Sequence, residues 1–421
     1  MAKPDDDRDK TFRIAVRKFG PFESAIPKQW QSFEAQAHTG LQLDSVALDL
    51  EPLHRQLFSE QGLAMGSYDV AMISTDWLAE ANASQGLVDV APYLASSPPE
   101  GYPEACSESL LRLQRFGDCV LGLPYHDGPE CLIYRRDLFE DEAERSRFRE
   151  RFGEPLAVPR TWEEFRRVAR FFTHPEHRLY GTVFAGYPDG HNTVYDFCLQ
   201  LWSRNGELFD GNGLMLLDTP EAREALEYYR SLFHDASEIH PDSATFDSVK
   251  SGRAFAAGEV AMMVNWFGFA AMSETIEESR VKGKTAIAAI PSQSGGGISL
   301  NAYWIMGIPA GSPHRDIALK FLAHCASPEM DKLLTLEGGI GCRKSTWSDK
   351  QVNAVIPYYR RLEKLHEDAR DLPRMTNWSS LAEVIDQMML DAIQTDEPIA
   401  VITARAQMAA HVVEKDGMAQ S

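Results

Sequence analysis

From Thr11 to Gly86 the chain alternates between two hydrophobic periods, and this constrains its fold more than any other feature. Thr11–Arg17 alternates apolar and polar residues as a strand does. Ser24–Ala37 sets Ile26, Trp30 and Phe33 at helical spacing. Leu41–Leu48 reads as a second strand and Leu53–Leu63 as a helix. Tyr68–Ile73 reads as a third strand, and Asp76–Gln85 as a helix stopped by Gly86. A β-α-β-α-β-α order predicts a mostly parallel sheet with helices on its faces. In such sheets ligands sit beyond the carboxyl ends of the strands, where Lys18–Phe22 and Ser74–Trp77 fall.

Further on, the apolar runs Val120–Tyr125 and Cys131–Tyr134 flank His126-Asp127-Gly128-Pro129-Glu130. Asp137–Pro159 is charged and helical. Thr161-Trp162-Glu163-Glu164 carries the pattern of a capping box, with Glu164 three residues after the cap. Thr219-Pro220-Glu221 and Ser327-Pro328-Glu329 open helices with Pro at the first position and an acid in the first turn. Leu381–Ile393 is amphipathic. At about 150 residues per domain, 421 residues suggest two or three domains. No clean linker separates them, as expected when a chain crosses between two lobes more than once.

The formal net charge is −20, which disfavours a nucleic-acid or membrane-surface role. No stretch reaches the ~18 uncharged apolar residues of a membrane span, and Met1–Lys10 lacks the apolar core of a secretory signal. The sequence reads as a soluble chain, either cytoplasmic or exported with its leader absent from this sequence. The six cysteines form no C-x-x-C pair. One or two bridges fit, Cys106 and Cys119 being close in sequence, and buried thiols fit as well. Gly211–Leu216 lacks the third glycine of a dinucleotide fingerprint and reads as a turn. In Gly338–Ser345, Arg343 stands where a phosphate loop needs glycine. His174-Pro175-Glu176-His177 reads as a surface loop. No metal site and no cofactor are expected. Paired carboxylates for glycoside hydrolysis are not visible at the level of spacing, so a carbohydrate-active hydrolase remains the alternative class.

Trp77, Trp202, Trp266, Trp304 and Trp378 each stand near Asp or Asn: Asp76, Asn205, Asn265, Asn301 and Asn377. Such pairs suit a sugar or polyol, because the ring packs on C–H faces while the short polar side chain bonds hydroxyls. Trp30, Trp162 and Trp347 lie in helical or capped contexts and read as structural.

Several passages in order resemble the carbohydrate-binding group of bacterial ABC-importer solute-binding proteins. They are Tyr68–Glu80, Leu121–Gly128 followed by Leu132-Ile133-Tyr134-Arg135-Arg136-Asp137-Leu138-Phe139, Pro159–Phe165, Leu201–Asp210, Phe255–Met262, Ala302–Ile308 and Ala318–Glu329. The resemblance implies an α/β, two-lobed periplasmic-binding-protein fold (type II), each lobe a mostly parallel sheet flanked by helices. It implies three hinge crossings, near Tyr125–Cys131, Met262–Trp266 and His324–Pro328. The N-terminal lobe would comprise 10–126 plus 265–324 and the C-terminal lobe 127–264 plus 325–421, with 1–9 a disordered tail. The implied function is capture of a sugar, oligosaccharide or polyol in the cleft by hinge closure, without catalysis. Partners would be the ligand and ABC permease subunits, the protein a monomer, and its location periplasmic or cell-surface, with a cytoplasmic protein as the minority alternative.

Carried onto this chain, the implied ligand-binding residues are Lys18, Phe19, Asp76, Trp77, His126, Asp127, Trp202, Asn205, Asn265, Trp266, Asn301, Trp304, Arg343 and Trp378. Asn205 and Tyr303 replace glycines usual in the family. Convergence of Arg17, Lys18 and Arg343 would admit an acidic sugar, since Arg forks match planar anions. The favoured reading leaves Arg17 at a solvated strand end and Arg343 bonded to neutral hydroxyls.

Overall fold

The computed structural model describes residues 10–293 and 297–420, so the expected tail at 1–9 lies outside the described residues. The strands in chain order are β1 Thr11–Arg17, β2 Gln42–Leu48, β3 Val70–Ser74, β4 Arg115–Phe116, β5 Cys119–Val120, β6 Leu123–His126 and β7 Glu130–Arg135. There follow β8 Tyr180–Val183, β9 Val260–Trp266, β10 Thr285–Ala288, β11 Ser299–Asn301, β12 Trp304–Gly307 and β13 Ala369–Asp371.

The chain divides into two compact units. Unit 1 comprises 1–128, 302–363 and 372–376; unit 2 comprises 129–301, 364–371 and 377–421. The first crossing falls where the sequence places it, at Gly128–Pro129. The other two do not. Residues 265–301 stay in unit 2 because β9 runs through Asn265 and Trp266 alongside β7, and β10 then pairs with the other edge of β7. Residues 325–363 stay in unit 1 because Gln29 Nε2 donates to the Met330 carbonyl at 3.1 Å and Lys28 pairs with Glu337 at 2.5 Å. The second crossing is therefore at Asn301–Ala302, and the chain changes unit three more times between 363 and 377, at 363/364, 371/372 and 376/377.

Unit 1 holds a five-stranded sheet in the order β2-β1-β3-β12-β6. β1 is parallel to β2 and β3, as the alternating pattern requires, whereas β12 runs antiparallel to both β3 and β6. Unit 2 holds β10-β7-β9-β8, where only β8 and β9 are parallel. The sheets are thus mixed, not mostly parallel. β12 follows a crossing between units and needs no covering helix to reverse its direction.

Local chemistry sets the elements. β1 spans the predicted residues; the following helix, Gly20–Ala37, starts four residues earlier than predicted, with Pro21 in its first turn. Inside unit 1, Phe12 stacks on Trp30 at 4.6 Å, and both meet Phe321 edge-on. The capping box at Thr161 is present, with Thr161 and Glu164 each bonding the other's backbone. Thr219 and Ser327 also cap their helices, their side chains accepting from the backbone N–H of Ala222 and Met330. The predicted Leu53–Leu63 helix instead covers Leu50–Leu57, and Asp76–Gln85 splits into a 3₁₀ turn, Thr75–Trp77, and a short helix, Leu78–Ala83. All six cysteines are free thiols, four of them buried; no Cys106–Cys119 bridge is present.

Candidate functional site

Each unit gathers candidate residues at the ends of its strands. In unit 1, Phe19 follows β1 and precedes the Gly20–Ala37 helix. Its buried ring meets Phe22 edge-on at 5.0 Å and His126 at 6.1 Å. β3 ends at Ser74, whose hydroxyl donates to the Asp76 carboxylate. Trp77 closes this turn, buried against His54 and Phe58. Trp304 opens β12 in register with Ser74 and His126, and meets Trp77 edge-on at 5.6 Å. Phe19, Asp76, Trp77, His126 and Trp304 thus share one edge of the sheet.

His126 Nδ1 accepts from the Ile340 backbone N–H at 2.9 Å, which requires an unprotonated nitrogen there. Burial lowers its pKa to about 4, against the opposing pull of Asp127. Asp127 is buried, and its backbone N–H donates to the Ile340 carbonyl at 3.0 Å.

The three cations do not converge. Arg17 and Lys18 both lie near Asp49, at 3.5 and 3.7 Å. Arg343 is buried and spends its guanidinium on the carbonyls of Ala326 and Glu100, each at 2.8 Å. It is an internal strut of unit 1. The favoured reading holds in that the cations do not converge, but Arg17 is 8% exposed and not at a solvated strand end, because β1 lies between β2 and β3, and Arg343 bonds carbonyls and not hydroxyls.

In unit 2, Asn265 is buried, donating to the Ser248 carbonyl and accepting from the Trp266 N–H at 2.8 Å. Trp266 ends β9 and stays partly exposed. Tyr195, on the Asn192–Trp202 helix, meets Trp266 edge-on at 5.4 Å, and Glu130 stands opposite Trp266 in the ladder. Sequence reasoning missed both. Tyr195 sits within a largely apolar helical run, and its neighbour Asp196 was the only charged residue there. Glu130 is an acid heading the apolar Cys131–Tyr134 run, a signal that was available.

Of the remaining candidates, Trp202, Trp378 and Asn301 are built into the body of unit 2, and Asn205 lies on its surface. Trp202 is buried with Arg370 over its ring at 4.9 Å, and Trp378 is 1% exposed. Asn301 is buried and donates to Asp371 at 3.0 Å. Asn205 is exposed and has φ of +63°, the left-handed conformation that explains how it stands in for a glycine. Tyr303, the other replacement, buries its ring in unit 1 and donates its hydroxyl to the Leu110 carbonyl. Of the five candidate tryptophans, Trp266 and Trp304 alone keep partial exposure, while Trp30, Trp162 and Trp347 are buried as predicted.

Among the described residues, no group of three or more His, Cys, Asp and Glu is placed to hold a metal ion. No described helix is long and apolar enough to cross a membrane. Residues 21–332 match the model of the bacterial extracellular solute-binding protein family. The chain belongs to that family. A Brucella abortus (strain 2308) relative of this solute-binding protein is 23% identical over 414 residues, covering 94% of this chain and 91% of its own. Two solved structures share the fold at a TM-score of 0.84. One is the maltose-bound MalE3 of Thermotoga maritima, 20% identical, covering 96% of this chain and 99% of that one. The other is an ABC-transporter solute-binding protein of Agrobacterium radiobacter K84 in complex with ribitol, 22% identical, covering 96% and 98%. The solute-binding protein therefore has the two-lobed α/β fold expected from its sequence.

Proposed function

We propose that this solute-binding protein captures a neutral sugar or polyol and delivers it to the permease of an ABC importer on the periplasmic or cell-surface side, without chemistry. The observation that carries this reading is the partly exposed Trp266, presented at a strand end with Tyr195 edge-on and a short amide beside it. A ring so placed packs on the C–H face of a polyol, a contact that asks for no charge on the ligand. The dispersal of Arg17, Lys18 and Arg343 onto Asp49 and backbone carbonyls supports a neutral ligand over an acidic one. Maltose and ribitol, held by the two structural relatives, fall in this class. A thermal-shift screen over sugars, polyols and uronates tests it. A neutral member should raise the melting temperature with concentration, since a ligand of the native state stabilises by mass action. Release of reducing ends from an oligosaccharide, or a response to uronates alone, would sink it.

A further inference from the structure

His126 ends β6 of unit 1 with one ring nitrogen committed and the other open. Its Nδ1 accepts from the Ile340 backbone N–H at 2.9 Å, while the Asp127 N–H donates to the Ile340 carbonyl at 3.0 Å. Residue 340 is thus clipped to two consecutive residues at the strand end. The chain beyond it is anchored in turn. The Gly341 N–H donates to the hydroxyls of Tyr359 and Thr335, at 2.8 and 3.0 Å, and the Cys342 N–H donates to the Asp331 carboxylate at 2.7 Å. All three side chains are buried, so Ile340 cannot withdraw its donor without disturbing a buried network.

A backbone N–H can only donate, so Nδ1 stays bare, and a neutral imidazole then carries its single proton on Nε2. The ring is held along with its proton. Phe22 meets it edge-on at 4.8 Å and Phe19 at 6.1 Å, and neither offers a charge. Asp127 is the charged group that acts on it, and burial outweighs that pull, keeping the ring neutral above about pH 4. Among the described residues nothing bonds Nε2. That nitrogen is not sealed from water, and the ring stays partly exposed. Trp304, itself partly exposed, stands opposite His126 in the β6–β12 ladder. An N–H donor therefore lies beside an open ring.

We infer that His126 is a specificity-determining residue, whose Nε2–H is a donor of fixed direction that selects ligands presenting a hydroxyl or ring oxygen as acceptor at this strand end. The backbone donor on Nδ1 makes the polarity irreversible: the ring cannot flip its tautomer to suit a ligand that brings only donors, such as a protonated amine. A ligand with no oxygen there leaves the N–H without a partner once water is displaced, which is how a polar site rejects analogues. The ligand half of this inference rests on the proposed function; the fixed proton does not.

Nitrogen-15 ring spectra of the whole protein without ligand test the proton. From pH 5 to 8, His126 should show a bare Nδ1 and a protonated Nε2, assigned by their loss in His126→Asn. A proton on Nδ1, or a doubly protonated ring at pH 6, would overturn the inference whatever binds. His126→Asn keeps a carboxamide oxygen near Nδ1 for the Ile340 N–H but leaves nothing at Nε2. With whichever of maltose and ribitol raises the melting temperature, calorimetry should find this variant about tenfold weaker than wild type. His126→Gln, which has both an acceptor and an N–H long enough to reach, should restore most of that loss. Wild-type affinity in His126→Asn would overturn the inference. Should His126→Asn not fold, the wild-type Hε2 resonance decides: binding must move it, and an unmoved signal in a saturated sample would overturn the proposal. Failure of both ligands would count against the transport reading, while the ring spectra still decide the proton.

Discussion

At the strand ends of unit 1, rings pack one another shut: Phe19 and Phe22 against His126, and Trp77 against His54, Phe58 and Trp304. At the strand ends of unit 2, Trp266 is held by one edge contact with Tyr195 and backed by buried acids. The two edges therefore respond to protons in opposite directions. His126 has its pKa lowered by burial to about 4, so the unfolded chain binds a proton that the folded chain refuses between that value and about 6.5. Its contribution is present at neutral pH and lost on acidification through that window. The unit 2 acids have raised values, so their contribution is present at low pH and lost as pH rises through about 7. One unit thus closes its edge with packed rings, while the other leaves Trp266 partly open beside buried acids.

The largest test of this contrast is a pair of truncations. Trp77→Ala removes a ring that is 4% exposed and should destabilise the protein by about 3–5 kcal/mol in denaturant titration. Trp266→Ala should cost stability less than about 1.5 kcal/mol, because its ring is partly open, yet weaken sugar or polyol binding by about tenfold or more. Equal stability losses would erase the distinction between the closed edge and the open one. A smaller effect is expected from His126→Gln, whose amide oxygen still accepts from Ile340. It should flatten the loss of stability between about pH 6.5 and 4 while leaving the alkaline side unchanged, as read by melting temperature. The smallest is at Asn205. Asn205→Ala should cost about 1 kcal/mol because Ala tolerates the left-handed conformation poorly, and Asn205→Gly should stay within a few tenths.

Much of the local structure was legible because its causes are local. The spacing of Thr161 and Glu164 is enough to form a capping box, and the alternation in Thr11–Arg17 is enough to mark a strand. Asn205 was legible as an anomaly, and its positive φ explains it. The candidate site was legible in part. Phe19, Asp76, Trp77, His126 and Trp304 come to one sheet edge because each follows or opens a strand, which the sequence pattern reveals. Trp202 and Trp378 have the same polar neighbours as Trp266, yet they are core, because a one-dimensional neighbour does not say which side of a helix meets the protein interior. Arg343 looked available for a ligand, but two distant carbonyls, at Glu100 and Ala326, claim it.

By itself the sequence determined the α/β class, the caps, the strand-end loops and, through ordered motifs, the solute-binding family. Periodicity, turn chemistry and capping act over a few residues, so they are written in short windows. The tertiary structure alone decided that β9 carries Asn265 and Trp266 into unit 2, that both sheets are mixed, and that the buried Glu130 stands opposite the partly open Trp266. Those outcomes depend on strand register and on which side chains are left without water, and both arise only when segments more than sixty residues apart meet.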